Sequence, residues 1–152
     1  MIKGLYETHL FVRNLEKSID FYKNILGLEQ CYFDAKRRIA FFWIGRPRQA
    51  MLGLWEKSEG EIEKQHFAFN CDKEFVLNNS VDFLKHHKLR PYNFLNDGTE
   101  RPMIFSWMPA LAIYFDDPDG HCLEFIAVLD GNAKPELGII SYEEWTRYEN
   151  EI

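Results

Sequence analysis

Two histidines and one glutamate in this chain each interrupt a strand-like run of residues that favour burial. His9 lies within Leu5-Tyr6-Glu7-Thr8-His9-Leu10-Phe11-Val12, and His66 within Lys64-Gln65-His66-Phe67-Ala68-Phe69. Glu124 lies within Cys122-Leu123-Glu124-Phe125-Ile126-Ala127-Val128, after the turn Asp117-Pro118-Asp119-Gly120-His121. A charged or metal-avid group among apolar neighbours is costly unless it is paired or bound. Two imidazoles and a carboxylate from three separate strands make a 2-His-1-carboxylate metal site with open positions. Strand alternation puts Glu124, Ile126 and Val128 on one face and Leu123, Phe125, Ala127 and Leu129 on the other. An isolated carboxylate on an interior face is driven toward its neutral form or out to water, and a divalent ion removes that penalty.

These residues have to be positioned by strands and helices that the sequence also marks. Residues 5–13 read as a strand, and Asn14 as the N-cap of a helix over about 15–26. Leu15, Ile19, Tyr22 and Leu26 share one face of that helix, and Gly27 stops it. Strands follow at Glu29–Asp34, Arg38–Ile44 and Ala50–Glu56, separated by polar turns, and the acidic stretch from Glu56 to Glu63 reads as a linker. The order then repeats: strand Gln65–Cys71, a helix within about 73–88, a short strand near Tyr92–Leu95, a polar loop at 96–102, and strands at Ala110–Phe115 and His121–Leu129. The helices share a phrase, Ile19-Asp20-Phe21-Tyr22-Lys23 against Val81-Asp82-Phe83-Leu84-Lys85, which together with the element order and the histidine placement indicates an internal repeat. The expectation is an α+β fold of two β-α-β-β-β modules, at about 5–56 and 64–129, forming a single domain over residues 1–152.

Composition narrows the function classes. At 152 residues, with 46 % hydrophobic and 16 % aromatic residues, the chain can bury a sizeable core. A net charge of −6 and the lack of any basic stripe beyond Lys36-Arg37-Arg38 argue against nucleic-acid binding. No run approaches the ~20 apolar residues a membrane span needs, and the opening apolar run is too short for a signal segment. Cys31, Cys71 and Cys122 are odd in number and widely spaced, as reduced thiols of a cytoplasmic protein would be.

Over residues 5–130 the chain resembles the vicinal-oxygen-chelate superfamily, which includes glyoxalase I, fosfomycin-resistance enzymes and extradiol dioxygenases. The resemblance is carried by Thr8-His9-Leu10-Phe11-Val12, by Ser18-Ile19-Asp20-Phe21-Tyr22-Lys23-Asn24-Ile25-Leu26-Gly27-Leu28, by His66-Phe67-Ala68-Phe69, and by Asp117-Pro118-Asp119-Gly120-His121-Cys122-Leu123-Glu124-Phe125. It implies paired modules whose curled mixed sheets surround a cavity, with a divalent ion (Zn, Mn, Fe, Co or Ni) held by His9, His66 and Glu124. It also implies a small-molecule substrate that chelates the ion through vicinal oxygens, and a homodimer. Glyoxalase I carries a fourth ligand, a carboxylate on the last strand of the other module. Here the corresponding positions read as Met51 and Leu52, which are apolar, and Glu56 reads as linker surface, so three protein ligands are expected.

Alternation along Ala110–Phe115 puts Tyr114 on the cavity side, where it either donates to a substrate oxygen or is a core aromatic. His121 reads as a solvated turn residue, and His86 and His87 as cations suited to a helix C-terminus. Trp107-Met108-Pro109 and Phe41-Phe42-Trp43 read as aromatic core or pocket lining. The expected activity is that of a metal-dependent lyase, transferase or dioxygenase. The rival reading is a metal-free small-molecule binder like the bleomycin-resistance proteins. Ser141 and Glu144 form a capping box for a helix over about 141–149 whose Tyr142, Trp145 and Tyr148 make an aromatic stripe. That stripe covers either the chain's own sheet or a partner subunit.

Overall fold

A computed structural model describes residues 1–150, and they divide into two compact units. The first is Met1–Gln65 together with Asp117–His121; the second is residues 66–116 together with the chain from Cys122 onward. The fold is a mixed α+β arrangement with two mixed sheets.

In the first unit the strands are β1 (Glu7–Val12), β2 (Glu29–Asp34), β3 (Ile39–Ile44) and β4 (Ala50–Glu56), in the order β1-β4-β3-β2. β1 and β4 run parallel, and the other pairs are antiparallel. The parallel pair requires a long crossover, which helix α1 (Leu15–Asp20) supplies together with a wider π-type turn at Phe21–Ile25. The Asn14 side chain caps α1 by accepting from Lys17 N. Gly27, at φ 73°, leads the chain out of the helix in a conformation that other residues reach only at a cost. Leu10, Val12, Leu15, Tyr22, Phe42, Leu52 and Leu54 are buried here.

In the second unit β5 (His66–Asn70), β6 (Met103–Phe105), β7 (Ala110–Asp116), β8 (Cys122–Val128) and β9 (Ile139–Ile140) are ordered β5-β8-β7-β6-β9. Again the first and last strands of the module, β5 and β8, are parallel. Helix α2 (Ser80–His86), preceded by a π-type turn at Phe75–Asn79, makes the crossover. Phe75, Phe83 and Phe115 cluster around Phe125, with ring centroids 4.5 to 6.0 Å away.

Both modules thus keep the order β-α-β-β-β. The strand predicted near Tyr92–Leu95 is only a single bridge from Tyr92 to Tyr114, and Met103–Phe105 takes the strand position instead. Helix α3 (Tyr142–Asn150) carries the predicted capping box: Ser141 N donates to Glu144 Oε2 at 2.8 Å, and Glu144 N donates to Ser141 Oγ at 3.2 Å. Its Trp145 is buried within the chain's own second unit. Among the described residues no helix is long and apolar enough to cross a membrane.

Candidate active site

Strand β8 presents Glu124 on the face shared with Cys122 and Ile126, while Leu123, Phe125 and Ala127 fill the core. Glu124 is 4 % exposed, and its Oε1 is buried with no hydrogen-bond partner. An orphaned carboxylate oxygen of this kind is rare in folded proteins and calls for an explanation. Burial pushes the Glu124 carboxyl above the ordinary carboxylate range, and the His66 beside it pulls it partly back.

His66 opens β5, and its Nε2 stands 3.3 Å from Glu124 Oε2. Its Nδ1 lies 3.0 Å from the Cys122 carbonyl. A carbonyl only accepts, so Nδ1 carries the proton and donates. The second nitrogen, Nε2, faces a Glu124 oxygen, so it either donates to that oxygen or ligates a cation together with it. A metal-binding histidine has its second nitrogen oriented in this way by a carbonyl or carboxylate. The donor types and the orphaned Oε1 therefore fit a divalent ion at His66 and Glu124.

His9 belongs to the first unit. Its ring lies between Phe41 (centroids 5.6 Å apart, edge-on) and Trp55 (5.5 Å), and its Nε2 meets the Glu7 carboxylate. Glu7 and His9 are two apart on one strand face, while Leu10 and Val12 point into the core. Sequence reading passed over Glu7, although that spacing was a usable signal. Among the described residues no three His, Cys, Asp or Glu side chains converge as a ligand set. The structure therefore shows two donor pairs, Glu7 with His9 and His66 with Glu124.

The ladders also correct the expected equivalence of His9 and His66. β1 and β5 share the burial order exposed, intermediate, exposed, buried from their first residues, which matches Glu7 to His66 and His9 to Ala68. The registers agree: Glu7 pairs with Met51 as His66 pairs with Cys122, and His9 pairs with Gly53 as Ala68 pairs with Glu124. The first-module counterpart of Glu124 is therefore Gly53, not Met51 or Leu52. A Cβ on Gly53 would lie 2.8 Å from His9 Cδ2 and 2.8 Å from Phe41 Cε1, so the His9 ring occupies the space a side chain there would need.

Tyr114 sits across from Glu124 on the antiparallel β7–β8 ladder, and its ring centroid is 5.8 Å from that of His66. Burial, and then the nearby Glu124 charge, hold its phenol well above the ordinary tyrosine range, so it is a hydrogen-bond donor rather than a base. Tyr92, also passed over in the sequence, stacks on Tyr114 with rings tilted by 20° and centroids 5.7 Å apart. The Tyr92 hydroxyl donates to Asp116 Oδ1 at 2.7 Å and lies 3.2 Å from Cys122 Sγ. His66, Tyr92, Asn93, Phe94, Tyr114 and Cys122 line a cavity of about 290 Å³ with no lysine or arginine in its wall.

The remaining expectations divide. His121 is buried rather than solvated: its Nδ1 accepts from Gln65 N at 3.0 Å and its Nε2 donates to the Phe11 carbonyl at 2.8 Å. Glu56 is not linker surface, because it accepts from Arg38 Nε at 2.9 Å and from Leu15 N at 2.8 Å. Arg38, with its guanidinium on Glu16 and Glu56, is committed to those carboxylates. Trp107 is exposed, and neither it nor Phe41-Phe42-Trp43 lines the cavity.

Comparison with known proteins agrees with this fold. The sequence profile of the Glyoxalase/Bleomycin resistance protein/Dioxygenase superfamily matches residues 4–125. Metallothiol transferase FosB of Staphylococcus haemolyticus is 30 % identical over 127 residues, covering 82 % of this chain and 83 % of that protein. Lactoylglutathione lyase of Neisseria meningitidis is 27 % identical over 138 residues, covering 84 % of this chain and 93 % of that protein. The crystal structure of integron cassette protein HFX_CASS4, from the mobile metagenome of a Halifax Harbour sewage outfall, superposes with a TM-score of 0.71. It is 37 % identical, over 84 % of this chain and all of that one.

Proposed function

The chain belongs to the glyoxalase/bleomycin resistance protein/dioxygenase superfamily, and on that footing we propose that it is a metal-dependent enzyme whose small substrate chelates a divalent ion through two neighbouring oxygens. His9, His66 and Glu124 would hold the ion. The observation that carries this reading is the buried Glu124, with one oxygen unpartnered and the other facing Nε2 of His66. A divalent ion there supplies Lewis acidity to the two chelating oxygens.

The chain's own groups set the rest of the chemistry. Tyr114 keeps its proton near neutral pH and donates to a substrate oxygen at the site edge. Tyr92, fixed by Asp116, braces the Tyr114 ring. The Cys122 carbonyl accepts from His66 Nδ1 and so orients the ring with Nε2 toward Glu124, where Nε2 would ligate the ion. The cavity wall offers aromatic faces and a few neutral polar groups. It suits the uncharged body of an aromatic or apolar vicinal diol or hydroxy-ketone.

The first test is elemental analysis of protein purified without added metal, then turnover assays on catechols, methylglyoxal–thiol adducts and fosfomycin. About one divalent ion per chain is expected, together with activity on the uncharged substrates. Unchanged metal content in Glu124→Ala would refute the site. If the parent binds hydrophobic ligands with equal affinity before and after chelator treatment, and binds no metal, the metal-free binding reading replaces this one.

We further propose that the protein is a homodimer acting in the cytoplasm. Exposed Leu5, Phe11 and Val128 leave apolar surface for a second copy to cover. Light scattering at micromolar concentration should return twice the chain mass, and a monomeric mass overturns the dimer.

A further inference from the structure

Resting on the reading that the cavity beside His66 receives the substrate, we propose that Phe94 is a specificity-determining residue whose ring forms a wall selecting a flat aromatic ring as the substrate's body. Every group concerned lies in the second unit. The cavity, of about 290 Å³, has no Asp, Glu, Lys or Arg in its lining. A cavity of ~150 Å³ suffices for benzene, so this one has room for a single substituted ring. Its floor is aromatic: Tyr92 and Tyr114 stack there, on a cluster that includes Phe105 and Ala112. Phe94 is 61 % exposed, yet it packs edge-on with the buried Phe105, centroids 5.4 Å apart. Its ring is thus anchored on one side while most of its surface stays uncovered.

The neighbouring residue holds that ring in place. Asn93 is 1 % exposed; its Nδ2 donates to Thr99 Oγ1 at 2.6 Å, and its Oδ1 accepts from Leu95 N at 3.1 Å. Thr99 Oγ1 donates onward to Asp97 Oδ1 at 2.7 Å. Asn96 N returns to the Asn93 carbonyl at 3.0 Å, closing a turn in which Asn96 takes φ 47°, a left-handed conformation that asparagine tolerates. Two backbone hydrogen bonds between Tyr92 and Tyr114, at 3.0 and 2.8 Å, tie the start of the loop to β7. The backbone that displays an uncovered aromatic ring is therefore fixed in advance, which spares a ligand the cost of ordering it. An uncharged lining with aromatic faces favours a planar aromatic ring through stacked or edge-on contacts that a saturated ring of the same size does not match.

Catechol and cis-1,2-cyclohexanediol share a carbocyclic ring with vicinal oxygens and differ in aromaticity. Calorimetric titration of the full chain as purified with each probe tests the wall, and comparing parent with variant for one probe at a time cancels the probes' different chelating strengths. Phe94→Leu, which keeps an apolar side chain without the ring, should weaken catechol binding by about 3–10-fold, the range an aromatic pair spans. Phe94→Tyr, which keeps the ring, should stay within about 2-fold of the parent. Phe94→Leu should leave cyclohexanediol binding, or its failure to bind, unchanged. Equal catechol affinity in parent and Phe94→Leu overturns the wall, as does an equal loss for both probes. The control His66→Ala separates this proposal from the reading beneath it. If His66→Ala loses catechol while Phe94→Leu keeps it, only the wall fails. If Phe94→Leu weakens catechol while His66→Ala does not, the wall stands and the metal role of His66 fails. If the parent binds neither probe, the cavity is not the substrate site and both fail. Light scattering of Phe94→Leu should return the parent's mass; a changed mass at a fold retained by circular dichroism would assign the ring to a subunit contact instead.

Discussion

The hydroxyl of Tyr22 donates a 2.8 Å hydrogen bond to Asp117 Oδ2, with both residues buried in the first unit. The other oxygen of Asp117 accepts from Asp119 N and His121 N, both at 2.9 Å, so the carboxylate organises the turn that leads into β8 and Glu124. Burial raises the Asp117 pKa, and the hydrogen bonds only partly offset that rise. Tyr22→Phe removes one acceptance from a buried carboxylate. It should cost about 1–3 kcal/mol, measured by urea denaturation. A loss below the error of the extrapolation would show that the turn does not depend on this contact.

Gly53 is a second point where the geometry is exacting. A methyl group there would press on the His9 ring and on Phe41 at 2.8 Å. Gly53→Ala should therefore destabilise the chain by about 1–3 kcal/mol through overpacking. Displacing His9 should also weaken metal uptake relative to the parent. Thermal unfolding with and without added Zn²⁺ reads both effects. A variant as stable and as metal-responsive as the parent would mean that the His9 ring sits elsewhere.

Acid sensitivity should centre on Glu56. The Arg38 guanidinium, and then the Leu15 backbone N–H, hold its carboxyl down at about 2. A carboxylate depressed in the folded state stabilises the fold above its unfolded value, and that stability disappears as pH falls toward the folded one. The contribution is thus full above about 4.5 and declines between there and about 2. Because Arg38 is 36 % exposed, screening leaves only a small part of the gain that the shift alone would imply. Glu56→Gln should be less stable than the parent at pH 7 and approach it at pH 2.5. A difference that stays constant over that range would remove the charge from the explanation.

Much of this was legible in the residues. Asn14, Gly27, and Ser141 with Glu144 mark helix ends by local hydrogen bonding and backbone preference, and the structure uses each of them. Strand alternation correctly separated Glu124 and Ile126 from Leu123, Phe125 and Ala127, because period two needs no partner to be read. What escaped depends on partners distant in sequence. β6 and β9 have three and two residues, too few to show a pattern, and they exist because β6 pairs with β7 and β9 pairs with β6. His121 looks solvated in a polar turn, yet it is buried because Gln65 N and the Phe11 carbonyl satisfy both its nitrogens. His9 and His66 look equivalent by residue type, but the ladder register matches His66 to Glu7 and His9 to Ala68. Register is a property of two strands and cannot be read from either one alone.

The last prediction concerns α3. Trp145 is 3 % exposed, and Lys134 Nζ lies 5.2 Å over its ring while also bonding Glu149 at 2.7 Å. Just before the helix, β9 pairs with β6 through Ile139 and Ile140, which ties the segment to the second sheet. A nine-residue helix is too short to persist alone in water, so this docking is what stabilises it. Trp145→Ala should lose about 3–5 kcal/mol. Truncation after Gly138 should destabilise the chain further, since it also removes β9 and uncovers an edge of β6. Because the indole is buried in its own unit, Trp145→Ala should leave the oligomeric mass unchanged by light scattering. A mass shift at retained fold would assign the helix to a subunit contact instead, and a truncated chain as stable as the parent would contradict its role in the fold.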